Sequence, residues 1–98
     1  MDIIKTKKEN VLNLELSGRL DTTTAPVLEN VLKEEIQDVS ELCFDFTALE
    51  YISSAGLRVL LGAQKLMNKQ GSMTVCNVNE EIMEVFEITG FSDILTIE

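Results

Sequence analysis

Two hydrophobic periods take turns along this chain, and that exchange limits the folds open to it. Val11-Leu12-Asn13-Leu14-Glu15-Leu16 alternates apolar and polar, the period of a strand with one wet face. Leu28, Val31, Leu32 and Ile36 then recur at helical spacing, with Glu29, Lys33 and Glu34 on the other side. The helix is predicted to start near Thr24, with Pro26 in its first turn, and to end near Gln37-Asp38. Leu42, Phe44 and Phe46 return to the strand period. Cys43 lies on their opposite face, which predicts a strand covered on both sides. Leu57, Leu60, Leu61 and Met67 make the next helical stripe, running to about Lys69 and stopped by Gln70-Gly71. Met73 to Val78 reads as a strand. Glu80 to Thr89 reads as a helix with Ile82, Val85 and Phe86 inward and Gly90 as its stop. Ile94 to Ile97 reads as a final strand. At the front, Ile3-Ile4 starts a short strand, Lys7-Lys8-Glu9-Asn10 turns it, and Ser17-Gly18 closes the hairpin.

The order is therefore β-β-α-β-α-β-α-β. It predicts one α/β domain over residues 1–98, with a mostly parallel sheet, an N-terminal antiparallel hairpin and about three main helices. In such sheets the functional loops lie beyond the carboxyl ends of the strands. The loop at Asp21 and the loop at Ser53-Ser54 should thus open on one edge.

Ninety-eight residues, 45% of them apolar, suit a single small core. A net charge of −9 argues against nucleic acid and anionic lipid as partners. A basic protein fits that surface better. Met1 is followed by Asp2, Lys5, Lys7 and Lys8, not by an apolar run. That predicts no leader, no membrane insertion and a cytoplasmic location. Cys43 and Cys76 read as two buried thiols acting as small hydrophobes. With no histidine and no paired cysteine spacing, no metal site is expected.

The run Tyr51-Ile52-Ser53-Ser54-Ala55-Gly56-Leu57 carries the chemistry. Two hydroxyls sit where a strand passes into a helix, beside unpaired backbone N–H groups and the positive end of the helix dipole. A phosphate is favoured there. The plainer reading is that one serine caps the helix while the other points outward. Ala55 and Gly56 leave room for a partner to approach. Catalysis is not expected: no histidine can activate a serine, and Lys65 and Lys69 lie two or more turns away. Asp21 reads either as a ligand or catalytic acid, or as a turn residue starting the first helix. Arg58, Lys65 and Lys69 share one helical face directly after the serines, as a contact surface or as mere solubility. Glu80, Glu81, Glu84 and Glu87 read as a solvated face.

The run Phe44-Asp45-Phe46-Thr47-Ala48-Leu49-Glu50-Tyr51-Ile52-Ser53-Ser54-Ala55-Gly56-Leu57 resembles the signature of STAS domains, in particular bacterial anti-sigma-factor antagonists. Gly18-Arg19-Leu20-Asp21-Thr22-Thr23-Thr24-Ala25 resembles that family's second signature, Gly-x-Leu-Asp-x-x-Thr-Ala. The likeness extends over essentially the whole chain in element order. It implies partner switching. An unphosphorylated antagonist binds an anti-sigma factor that is also a serine kinase, and so frees the sigma factor. The kinase, with its own ATP and Mg²⁺, phosphorylates the antagonist, which lets go. A phosphoserine phosphatase resets it. Aligned on Gly56-Leu57, Ser54 falls on the family's phosphoserine, with Ser53 standing where the family commonly has aspartate and serving as the alternative. Asp21, Thr24, Ser53, Ser54, Gly56, Arg58 and Lys65 would form the partner face. The resemblance implies no cofactor, no metal, no enzymatic activity of the chain itself, and a monomer when free. Two alternatives stand beside it: a STAS subunit of a membrane transport complex, and a small-ligand or nucleotide-sensing STAS module.

Overall fold

Leu12, Leu14 and Leu16 are sealed from solvent, while Asn13 and Glu15 between them are exposed. The computed structural model describes residues 1–98. They form β1 (Asp2–Lys8), β2 (Val11–Leu20), α1 (Ala25–Glu35), β3 (Glu41–Ile52), α2 (Ser54–Gln70), β4 (Ser72–Cys76), α3 (Glu80–Thr89) and a single helical turn, α4 (Phe91–Ile94). The sheet order is β1-β2-β3-β4. β1 pairs antiparallel with β2, and the other neighbours are parallel. Leu28 and Leu32 of α1, Leu60 and Met67 of α2, and Ile82 and Phe86 of α3 join one apolar cluster with the inward residues of the sheet. Phe46 centres it, 6.1 Å from the ring of Phe44 and 6.5 Å from that of Phe86. All three main helices therefore cover the same sheet face. No helix is long and apolar enough to cross a membrane.

The opposite face of β3 is not covered, against the expectation from Cys43. That face carries Cys43, Asp45, Thr74 and Cys76, all half-exposed. The two cysteines are thus free, partly accessible thiols, not buried hydrophobes. The hydroxyl of Thr74 donates to the sulfur of Cys43 at 3.3 Å, and the thiol of Cys76 donates to the carbonyl of Phe44 at 3.4 Å. Partial burial, then the nearby Asp45 carboxylate, pushes the Cys76 thiol upward, away from the reactive thiolate.

Three boundaries also differ from expectation. β2 does not close at Ser17-Gly18; it continues to Leu20, with Gly18 accommodating a positive φ of 88° beside a register shift. β3 runs on to Ile52 through two such shifts. Glu15 pairs with Asp45, Ser17 with Ala48 and Arg19 with Tyr51, so β3 gains a residue on β2 at each step. The final strand shrinks to one bridge between Val75 and Ile97. Gly90, at φ 83°, ends α3 in the left-handed region and turns the chain into α4 at once, which uses Ile94 as helix. Asn79 anchors the other end of α3. Its carbonyl oxygen accepts from the N–H of Ile82 at 2.8 Å, and its amide donates to the carbonyl of Leu49 at 3.0 Å.

Candidate functional site at the carboxyl ends of β2 and β3

Because β2 and β3 are parallel and end in register at Leu20 and Ile52, the loops that follow them lie side by side. The N–H of Ser53 donates to the carbonyl of Leu20 at 2.9 Å and ties the two together. Asp21 and the serine pair are thus neighbours, as their order along a parallel sheet requires.

Asp21 organises its own turn. One carboxylate oxygen accepts from the hydroxyl of Thr23 at 2.7 Å, from the N–H of Thr23 at 3.0 Å and from the N–H of Thr24 at 3.2 Å. The hydroxyl of Thr24 accepts from the N–H of Asp21 at 2.8 Å and donates to the carbonyl of Arg19 at 2.8 Å. Thr24 holds the N-cap position of α1, but its hydroxyl serves this turn and not the helix. The other Asp21 oxygen lies 3.8 Å from Nε of Arg19. The hydrogen bond from the Thr23 hydroxyl, followed by those from the backbone, holds the Asp21 carboxyl below its usual value of 3.8. It stays ionised at neutral pH and has no proton to give, so the turn reading prevails over that of a catalytic acid.

The sign of its pH effect follows. A carboxyl with a lowered folded-state pKa adds stability above its unfolded value and loses it as pH falls through the folded one. Asp21→Asn is therefore expected to lower the thermal midpoint near neutral pH. The gap from wild type should close as pH drops below 3.8. A gap independent of pH would refute this assignment.

The two serines have separate environments. Ser53 occupies the N-cap position of α2 in extended backbone, φ −102° and ψ 176°, yet makes no side-chain cap bond. Its Oγ is shielded from solvent and has no hydrogen-bond partner. Ser54 is the first residue of the helix and is exposed. Capping by a serine hydroxyl is thus not realised here. The first amides of α2 lack a side-chain acceptor, so Ser54 stands at an open positive end.

Arg58 lies one helical turn after Ser54 on the same exposed face. With Thr22, Pro26, Ala55 and others it borders a groove of about 210 Å³ that joins the two loops. Lys65 shares the face but sits about 16 Å from Ser54 along the axis, at 1.5 Å a residue. Gly56, expected on the partner face, is buried. A Cβ there would come within 2.7 Å of Leu20 Cγ and 2.9 Å of Ile52 Cγ1, so its role is to let α2 sit on the sheet. Two neighbours lie outside the partner face expected from the sequence. Arg19 stacks over the ring of Tyr51 at 4.0 Å, both exposed at this edge.

The family model for the STAS domain matches residues 2–98. The chain belongs to the STAS domain family. Among the relatives of this STAS domain is the anti-sigma-B factor antagonist of Bacillus subtilis, 33% identical over 92 residues, spanning 93% of this chain and 84% of that one. Another is the putative anti-sigma factor antagonist BtrV of Bordetella bronchiseptica, 35% identical over 99 residues, spanning 99% and 85%. The anti-sigma factor antagonist SpoIIAA shares the fold. Its unphosphorylated form superposes with a TM-score of 0.79 at 17% identity, over 99% of this chain and 87% of that one. Its phosphorylated form, from Bacillus, gives 0.78 at 17% identity, over 99% and 91%. The α/β architecture with its N-terminal antiparallel hairpin is the STAS fold.

Proposed function

We propose that this STAS domain is an anti-sigma-factor antagonist that works by partner switching, with Ser54 as its switch. The observation that carries the proposal is the contrast between the serines: Ser54 is exposed at the open end of α2, whereas the Ser53 hydroxyl is shut in. A kinase needs to reach the hydroxyl it modifies. The names of the Bacillus subtilis and Bordetella relatives support the antagonist role. The existence of SpoIIAA in both phosphorylated and unphosphorylated forms supports a phosphate switch.

In this reading the unmodified protein binds an anti-sigma factor with serine kinase activity. Asp21's turn, Thr24, Ser54 and Arg58 lie at or near the contact, with Ser53 beneath it and Lys65 at its far margin. The domain is a monomeric, cytoplasmic regulator without enzymatic activity of its own. The kinase supplies ATP and Mg²⁺. A phosphoserine phosphatase restores the binding form. A phosphate brings nearly two negative charges and three acceptor oxygens. Beside free helix amides the fold tolerates it; beside a partner's carboxylate it repels.

The test is intact-mass and peptide mass spectrometry after incubation with an anti-sigma-B factor, ATP and Mg²⁺. One phosphate is expected on wild type and on Ser53→Ala, and none on Ser54→Ala. A phosphate that persists in Ser54→Ala would remove Ser54 as the switch.

A further inference from the structure

Gly62 is unexplained by the fold. It lies in the interior of α2, is exposed, and a Cβ built on it meets nothing within 4 Å. Glycine there weakens the helix relative to alanine, and nothing inside the domain requires it. Gly56, on the same helix, is the opposite case. Gly62 borders a groove of about 260 Å³ between α1 and α2. Its apolar lining is Leu32, Ile36, Val59 and Ala63, with Leu66 on the rim exposing 38% of its surface. Glu29, Arg58 and Val59 border both this groove and the smaller one at Ala55, so the two are continuous as far as the neighbour of Ser54.

Charge distinguishes this face from the rest of the domain. The chain is strongly acidic, yet α2 holds Arg58, Lys65 and Lys69, three of its eight basic residues, and no carboxylate. Across the groove, Glu29 is paired with Lys33 at 3.5 Å.

We propose that the α1–α2 groove seats an acidic amphipathic helix of the anti-sigma partner, its backbone crossing directly over Gly62. The inference rests on the antagonist reading and extends it. A helix satisfies its own backbone polar groups, so it can lie on an apolar floor without unpaired amides. Absence of a side chain at position 62 allows the close approach of two helix axes. Carboxylates along one edge of the incoming helix complement Arg58, Lys65 and Lys69. One end of that helix then lies beside Ser54, where a phosphate would confront its acids.

The experiment is calorimetric titration of the full chain with an anti-sigma-B factor, without ATP, for wild type, Gly62→Ala, Gly62→Gln and Leu66→Ser. Gly62→Ala is expected to raise the thermal midpoint by about 4 °C and to weaken binding by roughly 10-fold. Gly62→Gln should weaken it by about 100-fold with the midpoint not lowered, and Leu66→Ser by roughly 10-fold. If wild type binds and Gly62→Gln binds equally well, the groove proposal is overturned while the antagonist reading stands. If wild type does not bind at all, the antagonist reading fails and takes the groove proposal with it.

Discussion

Ser54→Glu is expected to reduce affinity for the anti-sigma partner by about 100-fold, close to 3 kcal/mol, and to leave the domain folded. The two halves of this result have different causes. Within the domain, Ser54 is the exposed first residue of α2, and the amides there have no side-chain acceptor. A carboxylate at such a position is favourable by roughly 0.3–1 kcal/mol, so the thermal midpoint should hold or rise slightly. In the complex the same charge is brought against a partner selected to meet Arg58 and Lys65. Like charges held together at an interface cost several kcal/mol, or about the effect expected. Ser54→Gln separates bulk from charge, because it has nearly the shape of glutamate without the ionisation. It should lose no more than about 10-fold. Binding by Ser54→Glu at wild-type affinity, with circular dichroism showing a native fold, would sink the switch. A Gln variant as weak as the Glu variant would make the switch steric.

That prediction rests on a junction largely legible in the sequence. Two hydroxyls between a strand pattern and a helix pattern fix a helix N-terminus. A parallel sheet then places the Asp21 loop beside it, as the hydrogen bond from Ser53 to Leu20 bears out. Which serine faces outward is not legible, because it depends on the backbone angles of the cap residue. Nor is the stacking of Arg19 on Tyr51. It requires Arg19 to pair with Tyr51, and that register arises only after two shifts between β2 and β3. The same shifts hide the length of β3. Leu42, Phe44, Phe46, Leu49 and Ile52 are its buried residues. Their spacing passes from two to three because each inserted residue turns the next side chain over. A strict two-residue period therefore stops at Phe46. Cys43 misled for a different reason. A small apolar residue on the back of a strand does not demand a covering layer, and Thr74 and Asp45 show that this face is polar.

Gly56→Val is expected to destabilise the domain by about 3 kcal/mol, on the order of 15 °C in the thermal midpoint for a chain of this size. Gly56 sits where α2 crosses the ends of β2 and β3. Its would-be Cβ lies 2.7 Å from Leu20 Cγ, 2.9 Å from Ile52 Cγ1 and 3.0 Å from Leu20 Cδ2. Leu20 is fully buried and Ile52 exposes only 4% of its surface, so neither can move aside into solvent. The first turn of α2 must instead lift, against the bond between Ser53 and Leu20. Partner binding should fall with it, since Ser54 is carried on that turn. The decisive comparison is Gly56→Ala with and without Leu20→Ala. If the cost is overlap with Leu20, the pair should be coupled, and the double variant should be more stable than the sum of the single losses predicts. If Gly56 were instead a partner contact, the two losses would add in denaturation, and Gly56→Ala alone would weaken binding at unchanged stability. The glycine in the serine motif would then belong to the interface, as the sequence alone reads it, and not to the packing beneath it.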